Sequence, residues 1–213
     1  MSADKRSPPV RGFAALAIAV VAAMALTLAR AADDDTRPIT ASESMDAVMW
    51  GQSKIGGPFA LTDHTGKVRT ETDFRGKLLL VYFGFTHCPD ICPTDLMAIG
   101  DALKSLGPQA DQVRGLFISV DPKRDKPALL AAYVDSFHDN IVGLTGDEKA
   151  IHRAAHAYKV YFKKVPGKGD DDYGFDHSAY IYLMDRNGKF IGVFPPSTPA
   201  DRIVTVLKPL LQR

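Results

Sequence analysis

Two cysteines carry the densest chemistry in this chain. Cys88 and Cys92 are its only thiols, and they lie four residues apart in Thr86-His87-Cys88-Pro89-Asp90-Ile91-Cys92-Pro93. On a helical turn that spacing puts both sulfurs on one face, with Cβ atoms roughly 5–6 Å apart. One metal ion can bridge such a gap, and a disulfide can close it after modest adjustment. A dithiol redox motif of the C-x-x-C type would be one residue shorter. Two thiolates are soft ligands that select Cu(I) or zinc over magnesium or calcium. They fill only half of a tetrahedral zinc site, so a bound metal needs a ligand from elsewhere in the chain. A purely structural disulfide is the bland alternative. It would close a very short loop and, on the chain-entropy model, stabilise little.

The surrounding pattern says which elements position the thiols. Residues 78–83 (LLLVYF) form a continuous apolar run suited to a strand buried on both faces, and Gly84 ends it. Beyond the cysteines, Leu96, Ile99, Leu103 and Leu106 repeat at helical spacing. The thiols therefore sit where a strand hands over to a helix, beside unpaired N–H groups and the positive end of the helix dipole, which lowers a thiol pKa. Residues 115–120 (GLFISV) read as a second buried strand ending in Asp121-Pro122-Lys123-Arg124-Asp125. Asp121 and Asp125 then lie along the same sheet edge, where open α/β sheets place their sites. They either orient a ligand or dock a partner, or else cap a helix over residues 127–138. His87 reads as a pKa tuner or a packed neighbour of Cys88, and Asp90 as a supporting or docking residue.

The remaining segments complete the order. Residues 59–61 and 67–70 flank Asp63-His64-Thr65-Gly66, a hairpin signal with His64 as a solvated turn residue. Residues 141–144 suit a short strand, and Thr145-Gly-Asp-Glu148 has the form of a capping box opening a helix to Tyr158. His152 and His156, at i and i+4, could share a metal but read as helix-surface histidines. Residues 163–176 read as a polar, glycine-rich loop ending in His177-Ser178. A hairpin over 179–194 and a helix capped by Thr198, with Pro199 first and Ile203, Val206, Leu207 and Leu210 on its apolar face, follow. The sum is an α/β thioredoxin-like fold, a mixed sheet flanked by helices, with an N-terminal hairpin extension. In that topology the segment before the penultimate strand returns beside the cysteine turn, which brings His177 to the two sulfurs. Two thiolates and one imidazole make a three-coordinate site suited to Cu(I); Cu(II) would need another O or N donor. A flexible segment would let His177 come and go, as a carrier requires.

Charge and composition bound the partners. The 213 residues are 46% hydrophobic and 24% charged, with a formal net charge of +1, and lack the basic stripe of a nucleic-acid binder. Lys5, Arg6 and Arg11 precede an uncharged apolar run over residues 12–29, and Asp33, Asp34 and Asp35 follow. Residues 1–32 therefore read as a membrane anchor or signal segment with its positive end on the cytoplasmic side, residues 33–55 as an irregular tether, and residues 56–213 as the domain. The run is long enough to span, and Ala29-Arg30-Ala31 is of the cleavage-site type; with either fate the domain is exported to an oxidising compartment.

These residues resemble the Sco/SenC family, copper chaperones for the CuA centre of cytochrome c oxidase. The resemblance covers residues 56–211. Its marks are Gly56-Gly57-Pro58-Phe59, Phe83-Gly84-Phe85-Thr86-His87-Cys88-Pro89-Asp90-Ile91-Cys92-Pro93, Val120-Asp121-Pro122 with Arg124-Asp125, and Asp176-His177-Ser178. It implies copper, as Cu(I) and Cu(II), held by Cys88, Cys92 and His177. It also implies an upstream copper donor protein, and delivery to, or thiol reduction of, the CuA-bearing subunit II. The implied setting is a membrane-anchored domain in the bacterial periplasm, or in the intermembrane space of mitochondria. Two other classes use the same cysteines. A membrane-tethered thiol–disulfide oxidoreductase would work through Cys88 and Cys92 without metal. It is disfavoured because Asp176-His177-Ser178 stands where the thioredoxin fold usually carries a cis-proline. A thiol peroxidase would use Thr86, Cys88 and Arg124 and form a sulfenic acid.

Overall fold

The structure, a computed structural model, describes residues 37–50, 54–167 and 172–212. The apolar run 12–29 and the acidic trio lie outside the described residues. Among the described residues no helix is long and apolar enough to cross a membrane.

A seven-stranded mixed sheet is built on β3 (Leu78–Gly84), every residue of which is buried. It pairs in parallel with β4 (Val113–Ser119), which pairs in parallel with β5 (Ile141–Thr145). The hairpin of β1 (Ala60–Asp63) and β2 (Val68–Thr70) adds antiparallel to β5. On the other side of β3 lies β8 (Ile181–Met184), antiparallel to it, followed by β9 (Phe190–Phe194), antiparallel to β8. The order β2-β1-β5-β4-β3-β8-β9 is thioredoxin-like, with the expected hairpin extension at one edge. Parallel strands packed on both faces explain why β3 and β4 read as unbroken apolar runs.

Helices cover both faces. The cysteine helix α2 (Ile91–Leu106) buries Leu96, Ile99, Leu103 and Leu106, the four positions its periodicity marks. It lies on the face carrying Tyr82 and Phe117 and approaches so closely that a Cβ at Gly84 would stand 2.9 Å from Cys92 Sγ. Helix α3 (Pro127–Asp135) shares that face through Tyr133 on Phe117. Helix α4 (Glu148–Tyr158) packs on the other face, where Tyr158 meets Phe83 and Tyr182. Helix α5 (Ala200–Leu211) buries Ile203, Val204, Leu207 and Leu211, so its core stripe runs through Val204 and Leu211 while Val206 and Leu210 sit half-buried at its edge.

Several local readings change. The stretch expected to be an irregular tether contains α1 (Ala41–Trp50), which buries Ala47; just ahead of it Ile39 is also buried, and the Ser44 hydroxyl meets that of Ser178 at 2.8 Å. Asp147, not Thr145, caps α4 by accepting from the Ala150 amide at 2.7 Å, because Thr145 still belongs to β5. Pro199 precedes α5 while the Thr198 hydroxyl donates to the Pro195 carbonyl. The expected loop over residues 163–176 contains most of a second, two-stranded sheet, β6 (Phe162–Pro166) against β7 (Tyr173–His177).

Candidate metal centre

The cysteine turn is built by β3 running out under α2. Beyond Gly84 the chain turns so that the Cys88 amide donates to the Phe85 carbonyl at 3.2 Å, and α2 begins after Asp90. Cys92 is fully buried in the first turn of α2, and Cys88 is half-buried above it. Both are free thiols. The Cys92 amide points at Cys88 Sγ at 3.5 Å. From the far side, β7 ends at His177, whose Nε2 lies 3.4 Å from Cys92 Sγ. The ligand atoms of Cys88, Cys92 and His177 all lie within 4.8 Å of one another. Ligands about 2.0–2.3 Å from one ion stand roughly 3.3–4 Å apart, so small side-chain movements close this set around a metal.

The surroundings set the state of each ligand. His177 Nδ1 lies 3.2 Å from the Ser178 carbonyl, an acceptor, so Nδ1 carries a proton that donates there, and Nε2 faces the sulfurs. The imidazole is wedged edge-on against Tyr82 and Phe85, with ring centres 6.2 and 6.0 Å away. Hydrogen bonds from the Cys92 thiol and from His177, with the amides of Asp90 and Cys92, outweigh the cost of burial and push the Cys88 thiol down to about 3. Cys92 moves the other way, pushed up by its bond to the Cys88 thiolate and by burial. The pair thus holds one thiolate and one thiol.

The other expected site residues divide. Asp121 and Asp125 are buried, and neither caps α3, whose N-cap is Lys126 with no side-chain cap bond. Asp125 accepts from the Thr86 amide (3.0 Å), the Thr86 hydroxyl (2.6 Å) and the Ser119 hydroxyl (2.6 Å), so it braces the start of the cysteine turn. Asp121 is paired with Arg124 and accepts from the Tyr173 hydroxyl at 3.0 Å, while Arg124 lies over the Tyr173 ring and donates to its carbonyl. These bonds tie β7, and with it His177, to the loop after β4. His87 is neither packed nor a contact of the sulfurs: its side chain is 51% exposed and its Nδ1 meets the Thr86 hydroxyl at 3.0 Å. Asp90 is exposed, and its carbonyl accepts from the Thr94 hydroxyl. His64 is half-buried, and its Nδ1 accepts from the Gly143 amide at 3.0 Å, so it ties its turn to β5. His152 and His156 are half-buried on α4 and join no metal-type cluster among the described residues.

Residues 48–212 match the family model described as SCO1/SenC. The chain belongs to the SCO1/SenC family. The human protein SCO2 homolog, mitochondrial, is 43% identical over 155 residues, 71% of this chain and 58% of the relative, so this chain spans somewhat under two thirds of that relative's length. The solved structure of Bradyrhizobium japonicum ScoI with copper bound is 47% identical and covers 73% of this chain and 99% of its own, with a TM-score of 0.69. A structure reporting a disulfide switch in BsSco, a member of the Sco family of cytochrome c oxidase assembly proteins, is 27% identical, with a TM-score of 0.59, and covers 76% of this chain and 95% of its own.

Against that Sco background, two residues at the floor of the site escaped sequence reasoning. Tyr82 and Asp95 are fully buried behind Cys92. The Tyr82 hydroxyl and Asp95 Oδ2 have no hydrogen-bond partner among the described residues. Burial, then the neighbouring Cys92 and Asp95, pushes the Tyr82 phenol up, and burial raises the Asp95 carboxyl. Asp95 Oδ1 accepts from the amide of Ser197, a residue in left-handed backbone conformation ahead of α5. Tyr82 falls inside the apolar run 78–83, and the one signal for Asp95 is an acid set between the second cysteine and Leu96, on the face that the helical spacing buries.

Proposed function

We propose that this protein is a copper metallochaperone that carries Cu(I) and Cu(II) through Cys88, Cys92 and His177. It delivers the metal to the CuA site of cytochrome c oxidase subunit II. The observation that carries this reading is the convergence of two sulfurs and one imidazole nitrogen within 4.8 Å at one sheet edge. The copper-bound ScoI structure supports the choice of metal, and the description of BsSco supports the oxidase as destination. Cys88 is ready as a thiolate, Cys92 gives up its proton when copper arrives, and His177 Nε2 closes the set. Copper passes to a partner by ligand exchange, in which incoming thiolates replace these three in turn. Half-burial of Cys88 leaves the entry side open for that exchange. An upstream copper donor loads the site by the same steps in reverse. The apolar run 12–29 anchors the domain at the membrane, facing the periplasm or the intermembrane space.

Cys88→Ser and Cys92→Ser each leave one thiolate and one imidazole, a poor Cu(I) set. Each is expected to lose tight one-to-one Cu(I) binding in competition with a chelator. Tight binding retained by either would sink the ligand assignment.

One observation favours thiol reduction of the partner as a second role. A half-buried free Cys88, with the Cys92 amide 3.5 Å from its sulfur and its pKa lowered, above a fully buried free Cys92 is the arrangement of an attacking and a resolving thiol. Cys88 would attack one sulfur of the partner's disulfide and release the other as a thiolate. Cys92, on losing its proton, would then break the mixed disulfide. Two electrons pass to the partner, which gains two thiols, and a Cys88–Cys92 disulfide forms. This role would survive His177→Ala, whereas copper carriage would not.

A further inference from the structure

A cavity of about 360 Å³ opens between the β6–β7 hairpin, the loop after β4 and the start of α4. Its apolar lining includes Val120, Ile151, Phe162 and Phe175. Lys123, Lys163 and Lys164 stand at its walls, the last two exposed on β6. The acids in the lining are Asp121, already paired with Arg124, and Glu148. The cavity therefore offers a greasy floor under a cationic rim. Lys164 and Lys123 also lie over the Tyr173 ring, with their ammonium groups 3.6 and 5.9 Å from its centre, and keep their charge at the rim.

The cavity shares its wall with the metal centre. Phe162 pairs in register with His177 across the hairpin. Phe175 meets Phe162 tilted at 6.3 Å and Phe85 edge-on at 5.4 Å, and Phe85 in turn flanks the His177 ring. A ligand pressing on Phe162 and Phe175 thus touches the two rings that stand between the cavity and the imidazole.

We infer that this cavity is a docking site for an acidic segment bearing one aromatic or large aliphatic anchor, supplied by the protein that receives the metal. The inference rests on the proposed carrier function. The rim selects the segment by charge, chiefly through on-rate and register, and the floor takes its anchor. Occupancy is read at His177 through Phe175 and Phe85, so the metal's imidazole ligand is adjusted only when the receiver is in place.

The test uses the full chain and a short peptide of Asp and Glu carrying one Phe. Two analogues accompany it, one with Gly for the Phe and one with Lys for every acid. Binding is followed by NMR shifts of Ile151, Phe162, Phe175 and His177 in the wild type and in the Lys163→Glu/Lys164→Glu variant. The acidic Phe peptide is expected to shift these four signals and to bind about tenfold more weakly to the variant. Copper titration of the variant should match that of the wild type, which shows an intact fold and metal centre. Equal binding of the Gly analogue, equal binding of the Lys analogue, displacement by millimolar phosphate, or shifts confined to other residues would each overturn the docking site. Absence of copper binding in the wild type would count against the carrier reading alone, since the peptide shifts judge the cavity independently.

Discussion

Cys88 and Cys92 are four residues apart and meet opposite surroundings. Cys88 faces amide donors and the His177 ring at the mouth of the site; Cys92 is sealed beneath it against Gly84. The result is a ready thiolate above a buried thiol. In the metal-free chain, an alkylating reagent should therefore label Cys88 well before Cys92. Because the Cys88 pKa is depressed to about 3, the thiolate is already formed at neutral pH. The labelling rate should thus stay flat over neutral and mildly acidic pH and fall only as pH drops toward that value. A rate that climbs tenfold per unit up to about pH 8.5, as for an ordinary thiol, would contradict this. At this scale the chemistry was legible because Cys and His announce themselves by type. Tyr82 and Asp95 were not, since a tyrosine in an apolar strand and an acid on a helix have common structural uses, and only burial beside Cys92 sets them apart.

The elements supply the braces. Asp125 holds the amide and hydroxyl of Thr86 and the hydroxyl of Ser119, which fastens the cysteine turn to the end of β4. Asp125→Ala would leave three donors without their acceptor in a buried setting and should cost about 2–4 kcal/mol. The check is the urea midpoint, alongside copper affinity, which should fall with it. A stable variant with unchanged copper affinity would show that the turn holds its shape without this carboxylate. The types of Asp121 and Asp125 were readable at the sheet edge, but their partners were not: Tyr173 lies 52 residues from Asp121. The hairpin that delivers His177 was hidden for another reason. Phe-Lys-Lys-Val-Pro breaks strict alternation, and glycines and acids follow it, so the segment looks like a loop until Tyr173 and Phe175 are seen packing on Arg124 and Phe85. His177 is accordingly held by a strand end and two aromatic rings rather than by a free loop.

At the scale of the whole molecule, the sheet order was legible because β3, β4 and α2 carry strong apolar patterns, and buried parallel strands leave little choice of partner. The start of the folded unit was not, because α1 is short and follows a polar stretch, and it shows its role by burying Ala47, with Ile39 just ahead of it, and by touching Ser178 next to His177. A chain begun at residue 54 should therefore be less stable than one begun at residue 37 by about 2–3 kcal/mol, the worth of one Ile side chain and a few smaller contacts. Coincident urea transitions of the two would deny α1 its place in the core. The central claim, that Cys88, Cys92 and His177 together hold copper, is tested most directly by anaerobic Cu(I) titration against a competing chelator, using the chain from residue 37 and its His177→Ala variant. The account predicts one tight copper per chain, weakened more than about tenfold by the substitution, a loss of at least about 1.4 kcal/mol. No binding beyond the chelator, or binding indifferent to His177, would contradict it.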